Sequence, residues 1–245
     1  MHIPGKATLL VLLACLPAGL IASDAKDAKP KVSADAALQL LMAGNARFAA
    51  GGLLHPDQSV SRRTDLAKGQ KPFAIILTCA DSRVAPEIYF DQGLGDIFVL
   101  RNAGNILNDH TIGSIEYAVE HLGAGLIMVI GHSKCGAVSA AAAGGHAPGH
   151  IHSIVESITP AVKASAEESG DKVENAVRAN ARMVAAALRS SDPILSEAAK
   201  HGHIKVVAAR YDLSSGKVEV FDDTKAPEHA TVAHAAHAAP AAAAH

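Results

Sequence analysis

The sequence predicts an α/β fold: a mainly parallel sheet of four strands plus an antiparallel edge strand, flanked by helices. Five short apolar runs have strand character: 73–79 (FAIILTC), 96–101 (DIFVLR), 125–131 (GLIMVIG), 204–210 (IKVVAAR) and 217–221 (KVEVF). Most are near-continuous rather than alternating, as strands covered on both faces are. Helical patterns at 111–122, 135–143, 150–168 and 171–190 lie between them, which is the alternation of a parallel sheet with crossover helices. The last two runs are joined by the short turn Ser214-Ser215-Gly216, so the final strand reads as an antiparallel edge.

In chain order, the first segment is MHIPGKATLLVLLACLPAGLIASDAKDAKP. Lys6 precedes an apolar run from about Ala7 to Ile21, and the small residues Ala22 and Ser23 follow. That is the layout of a secretory signal peptide over 1–22, too short for a spanning helix. It implies export to a periplasm-like compartment or beyond, with no membrane span after cleavage. Leu12-Leu13-Ala14-Cys15 also resembles a lipobox, with anchoring at Cys15, but leucine just before the small residue is not its favoured form. Residues 23–32 are small and charged, and read as a linker. Residues 33–50 read as a helix, with Ser33 able to cap and Ala37, Leu38, Leu41 and Ala46 at helical spacing. Gly51-Gly52 stops it. Residues 53–72 are mixed, and their Arg62, Arg63, Lys68 and Lys71 read as solvated surface. The end, 226–245, is almost all Ala, His and Pro, carries His229, His234, His237 and His245, and reads as disordered. The folded domain is therefore expected at 33–225.

The 245 residues carry a formal charge of −2 and are 49% hydrophobic, enough for one full core. No charge imbalance points to nucleic acid. Of three cysteines, Cys15 lies in the leader, which leaves Cys79 and Cys135. In an oxidising compartment the plain reading of such a pair is one disulfide. Their placement suggests another. Cys79 ends the first strand, and His132 and Cys135 stand three apart where the third strand turns into a helix (GHSKCGAV, 131–138). Ligands of open α/β sheets sit outside the carboxyl ends of the strands, so the three side chains can converge there. Two thiolates and one imidazole with an open fourth position make a catalytic rather than a structural zinc site. Asp81 and Arg83 stand beside Cys79 at alternate positions.

Cys79-x-Asp81-Ser82-Arg83 followed by His132-x-x-Cys135-Gly136 resembles the β-class carbonic anhydrase signature, in its plant-like, open-site subgroup. The likeness continues through FDQGLGDIFVLRNAGN (90–105), SIEYAV (114–119) and VVAARYDLSSGKVEV (206–220), and covers about 33–222. The resemblance implies one zinc ion per subunit, held by Cys79, His132 and Cys135, and a catalytic dyad of Asp81 and Arg83. It implies reversible hydration of carbon dioxide to bicarbonate and a proton by zinc-activated hydroxide, with Asp81 orienting that hydroxide. Gln70 matches the family's carbon dioxide hydrogen-bond donor, Phe98 and Tyr117 its apolar pocket wall, and Gly136 a point of close backbone approach. In the family Gln70, Phe98 and Tyr117 come from the neighbouring subunit, so a homodimer or tetramer is implied. The chain has no Trp, against the bicarbonate-regulated subgroup, whose site uses one. Two thiolates offset the metal's charge, so hydration activity is expected to rise into the alkaline range. Two alternatives share these residues: a carbon disulfide or carbonyl sulfide hydrolase on the same fold, and a non-catalytic zinc-binding protein that uses the His-rich tail.

Overall fold

The computed structural model describes residues 32–145 and 147–221. The leader at 1–22, the tail at 226–245 and all but the last residue of the 23–32 linker lie outside them.

Helix α1 (Ala34–Ala49) opens where the Ser33 hydroxyl accepts the Ala36 N–H, and it buries Ala37, Leu41, Gly44 and Asn45. A short α2 (Val60–Leu66) follows, capped by Ser59. Strand β1 (Ala74–Cys79) is buried along its whole length. One turn of helix, α3 (Pro86–Tyr89), leads to β2 (Ile97–Asn102) and a 3-10 turn at Ala103–Asn105. Next come α4 (Asp109–Leu122), capped by Asn108 and ended by left-handed Gly123, and β3 (Leu126–His132), again fully buried. Helices α5 (Gly136–Ala143), α6 (Ile151–Ala164), α7 (Lys172–Arg189) and α8 (Ile194–Lys200) precede β4 (Lys205–Tyr211) and β5 (Val218–Val220).

The sheet order is β2-β1-β3-β4-β5. The first three pairings are parallel and β4–β5 is antiparallel, as the sequence predicts. Alternate residues of the central strands face two different cores. Leu126, Met128 and Ile130 of β3 join one cluster with α1, α5 and α6. Ile127 and Val129 join the other with α4, α8 and most of α7. Burial on both faces is why these strands read as unbroken apolar runs.

The structure corrects the sequence reading in detail. Helices α2, α3 and α8 were not anticipated, the 150–168 helix ends at Ala164, and β5 is shorter than 217–221. Nor is Arg62 simply solvated: it donates to the Leu94 carbonyl at 3.0 Å and to Asp96 at 2.9 Å, tying α2 to the turn before β2.

Candidate metal centre

The topology brings Cys79, His132 and Cys135 together. Cys79 is the last residue of β1 and His132 the last of β3, its parallel neighbour. Cys135 sits at the N-cap of α5, where the helix dipole favours a thiolate. All three are buried, and their donor atoms lie within 4.8 Å of one another. Both cysteines are free, with the sulfurs 4.0 Å apart. That is far beyond the S–S bond of about 2.05 Å. It is close to the separation of about 3.8 Å expected of two sulfurs each about 2.3 Å from one tetrahedral zinc.

The histidine is set for the same role. Its Nδ1 lies 3.0 Å from the Ser133 carbonyl, which can only accept, so Nδ1 carries the hydrogen. Nε2 is left as a buried lone pair with no hydrogen-bond partner. A buried imidazole nitrogen without a partner, facing two thiols, is the donor set of a soft, borderline metal ion. Ser133 is itself held, its N–H donating to the Tyr211 carbonyl and its hydroxyl accepting from the Leu213 N–H.

Without a metal the two sulfurs share a proton. The hydrogen bond from Cys135, and then the Gly104 N–H, lower the Cys79 pKa. The same bond, and then burial, push Cys135 up. A bound cation would supply the charge that favours both thiolates.

Asp81 stands at the rim, its Oδ2 3.9 Å from His132 Nε2. Arg83 grips it with a two-pronged fork: Nε donates to Oδ1 at 2.9 Å and Nη2 to Oδ2 at 2.7 Å. The Arg83 backbone N–H adds a third bond at 2.9 Å. These bonds hold the Asp81 carboxyl well below the usual carboxylate range. Arg101, given no role in the sequence reading, donates to the Cys79 carbonyl at 3.1 Å and to the Asp81 carbonyl at 2.7 Å, clamping the loop that carries the pair.

The four remaining sequence candidates are not all drawn in. Gly136 begins α5 beside Cys135, and a Cβ there would meet nothing within 4 Å, so packing inside the protomer does not demand glycine. Phe98, on β2, packs into the α4-side core, whereas Cys79, His132's neighbour Ile130 and Cys135 lie with the other. Tyr117 is 49% exposed on α4, and Gln70 is exposed in the loop after α2. Two further residues escaped the sequence reading. Gly104 donates its N–H to the Cys79 sulfur at 3.3 Å, and Asn180 donates its Nδ2 to the Gly104 carbonyl at 2.9 Å. No short-range pattern marks either one.

Comparison with known proteins agrees with this arrangement. A family profile described as carbonic anhydrase matches residues 74–218. Carbonic anhydrase 2 of Mycobacterium tuberculosis is 42% identical over 197 residues, covering 79% of this chain and 95% of its own. Among solved structures, a tetrameric β-carbonic anhydrase from Sordaria macrospora superposes with a TM-score of 0.62 at 28% identity, over 65% of this chain and 85% of that one. A Coccomyxa β-carbonic anhydrase in complex with acetazolamide gives 0.58 at 26% identity, over 64% and 75%.

Proposed function

Because this chain belongs to the β-class carbonic anhydrases, we propose that its cluster of Cys79, His132 and Cys135 holds one zinc ion per subunit, and that Asp81 and Arg83 form the dyad serving it. The reaction is the reversible hydration of carbon dioxide to bicarbonate and a proton. The relatives reported above are carbonic anhydrases, which favours carbon dioxide over the sulfur-containing gases. The observation that carries the zinc reading is the unpartnered, buried Nε2 of His132 opposite two free thiols.

Zinc, when bound, would supply the Lewis acidity that makes hydroxide available near neutral pH. The chain's own groups do the rest. Asp81 is ionised, so it can only accept: it takes a hydrogen bond from the attacking water or hydroxide and turns the oxygen lone pair toward the substrate carbon. Arg83 occupies both carboxylate oxygens and fixes their plane. Gln70, Phe98 and Tyr117 complete the substrate pocket from a neighbouring subunit. The signal-like sequence at 1–22 supports export of this chemistry from the cytoplasm, and recovery of the activity in the cytoplasmic fraction of cells expressing the full chain would overturn that reading.

Stopped-flow hydration of carbon dioxide near pH 8.5, followed with a pH indicator on zinc-quantified protein, tests the reading. Acceleration proportional to bound zinc, blocked by acetazolamide and reduced about 10²–10⁴-fold by Asp81→Asn, is expected. Zinc-loaded protein that gives no acceleration, or an Asp81→Asn variant as fast as the parent, would overturn it.

A further inference from the structure

We infer that Asn180 is a positioning residue for the metal centre, acting through Gly104 on the Cys79 sulfur; this rests on the zinc reading above. Gly104 lies in the 3-10 turn after β2 with φ at +76°, a left-handed conformation. A glycine has little intrinsic preference for one backbone state, so something outside the turn must hold its N–H on target. Two neighbours do so. Asn180 Nδ2 donates to the Gly104 carbonyl at 2.9 Å, and Ile158 lies so close that a Cβ on Gly104 would stand 2.5 Å from its Cδ1. With the carbonyl pinned, the Gly104 N–H points at Cys79 Sγ, 3.3 Å away.

Asn180 is otherwise out of place. It is 3% exposed, on a helix face whose other buried residues are Ala176, Val177, Ala181, Val184, Ala185 and Leu188. A carboxamide buried on an apolar face costs stability unless its bonds matter. One turn earlier on α7, Val177 packs against Gly131, where a Cβ would come within 2.8 Å of Val177 Cγ1. Gly131 directly precedes His132. Helix α7 therefore abuts the end of β3 by shape at Val177, and the Gly104 turn that touches Cys79 by a hydrogen bond at Asn180. An N–H aimed at a thiolate draws electron density from the sulfur and fixes its lone pairs. Loss of such an outer partner typically lowers metal affinity about 10–100-fold.

The test compares the full chain with Asn180→Leu, which keeps the bulk without the donor, Asn180→Ser, which is less disruptive to pack, and Val184→Ala, a core change on the same helix away from Gly104. Two readouts are taken: zinc affinity by chelator competition, and the sulfur-to-metal charge-transfer band of protein loaded with Co²⁺. Both Asn180 variants should bind zinc about 10–100-fold more weakly and shift the band to lower energy, with Val184→Ala matching the parent. Parent-like affinity and band in the Asn180 variants would overturn the inference. So would an equal change in Val184→Ala, or failure of both Asn180 variants to fold while Val184→Ala folds, since Asn180 would then serve the core. A parent protein that binds neither metal would instead sink the zinc reading, and this inference with it.

Discussion

In the proposed site, Asp81 and Arg83 would divide the work between charge and direction. The fork from Arg83 lowers the Asp81 pKa, so the carboxylate is charged at any pH where hydration matters. Removing the fork lets that pKa return toward the ordinary value of about 3.9, still far below neutrality. Arg83→Ala should therefore leave the charge intact and spoil only the aim. Activity should fall about 10–100-fold by the same factor from pH 6 to pH 9, read from full pH–rate profiles. A deficit that disappears at alkaline pH would mean that Arg83 acts on ionisation instead. The stability linkage has a fixed sign. A depressed carboxyl pKa favours the folded state above the unfolded value, and the benefit is lost as pH falls through the folded one. It is therefore an acid-side effect, separate from the alkaline rise expected of the hydration activity.

At the scale of elements, the parts read easily from sequence are those whose burial leaves a periodic or continuous mark. The strands were placed to within a residue or two because each central one is apolar on both faces. The cluster of Cys79, His132 and Cys135 was legible for a related reason: Cys79 and His132 each end a buried apolar strand, which is conspicuous, and Cys135 follows three residues on, where the next helix begins. Helices of four to seven residues, such as α2, α3 and α8, span too few turns to show a period. Contacts made across long stretches of chain leave no trace at all, and Asn45 shows this as Asn180 does. It sits buried in α1, donates to the Tyr89 and Gly216 carbonyls at 3.0 and 2.8 Å, and accepts from the Val218 N–H at 2.8 Å. One side chain thus joins the first helix, α3 and the closing hairpin. Asn45→Ala should cost about 2–3 kcal/mol by leaving those groups unpaired, lowering Tm by about 5–10 °C in a calorimetric melt. A change under about 0.5 kcal/mol would mean that water replaces the amide. In the same hairpin, the Ser215 N–H and hydroxyl, with Arg210, lower the Asp212 pKa to about 2. The ionisation-linked stability advantage of the parent over Asp212→Asn should be constant above about pH 5, fall steadily as pH drops through about 4 to 2, and vanish at about pH 1, in denaturant titrations across that range.

The whole molecule raises the question of where its pocket is closed. Within one protomer Phe98 packs on the far side of the sheet from the Cys79 cluster, and Gln70 and Tyr117 are exposed. Leu54, Val60, Ile88 and Leu94 are exposed as well, apolar surface that a second subunit would cover. If each site takes its zinc ligands and Asp81 from one subunit and Gln70 from the other, two crippled chains can repair each other. In a hybrid of Gln70→Ala and Asp81→Asn subunits, one site has both defects and the other has neither. Random pairing makes about half the dimers hybrid, so co-expressed chains should recover about a quarter of the parent activity, although either variant alone is nearly inactive. Recovery should appear only after subunits mix, and should track the hybrid fraction resolved with differently tagged chains. If every site instead drew Gln70 from its own protomer, each hybrid site would carry one defect, and mixing would only average the two variants. The same experiment separates a merely oligomeric enzyme from one whose pocket is built across the interface, because stabilisation by a partner can restore folding but cannot put back a missing Gln70 or Asp81.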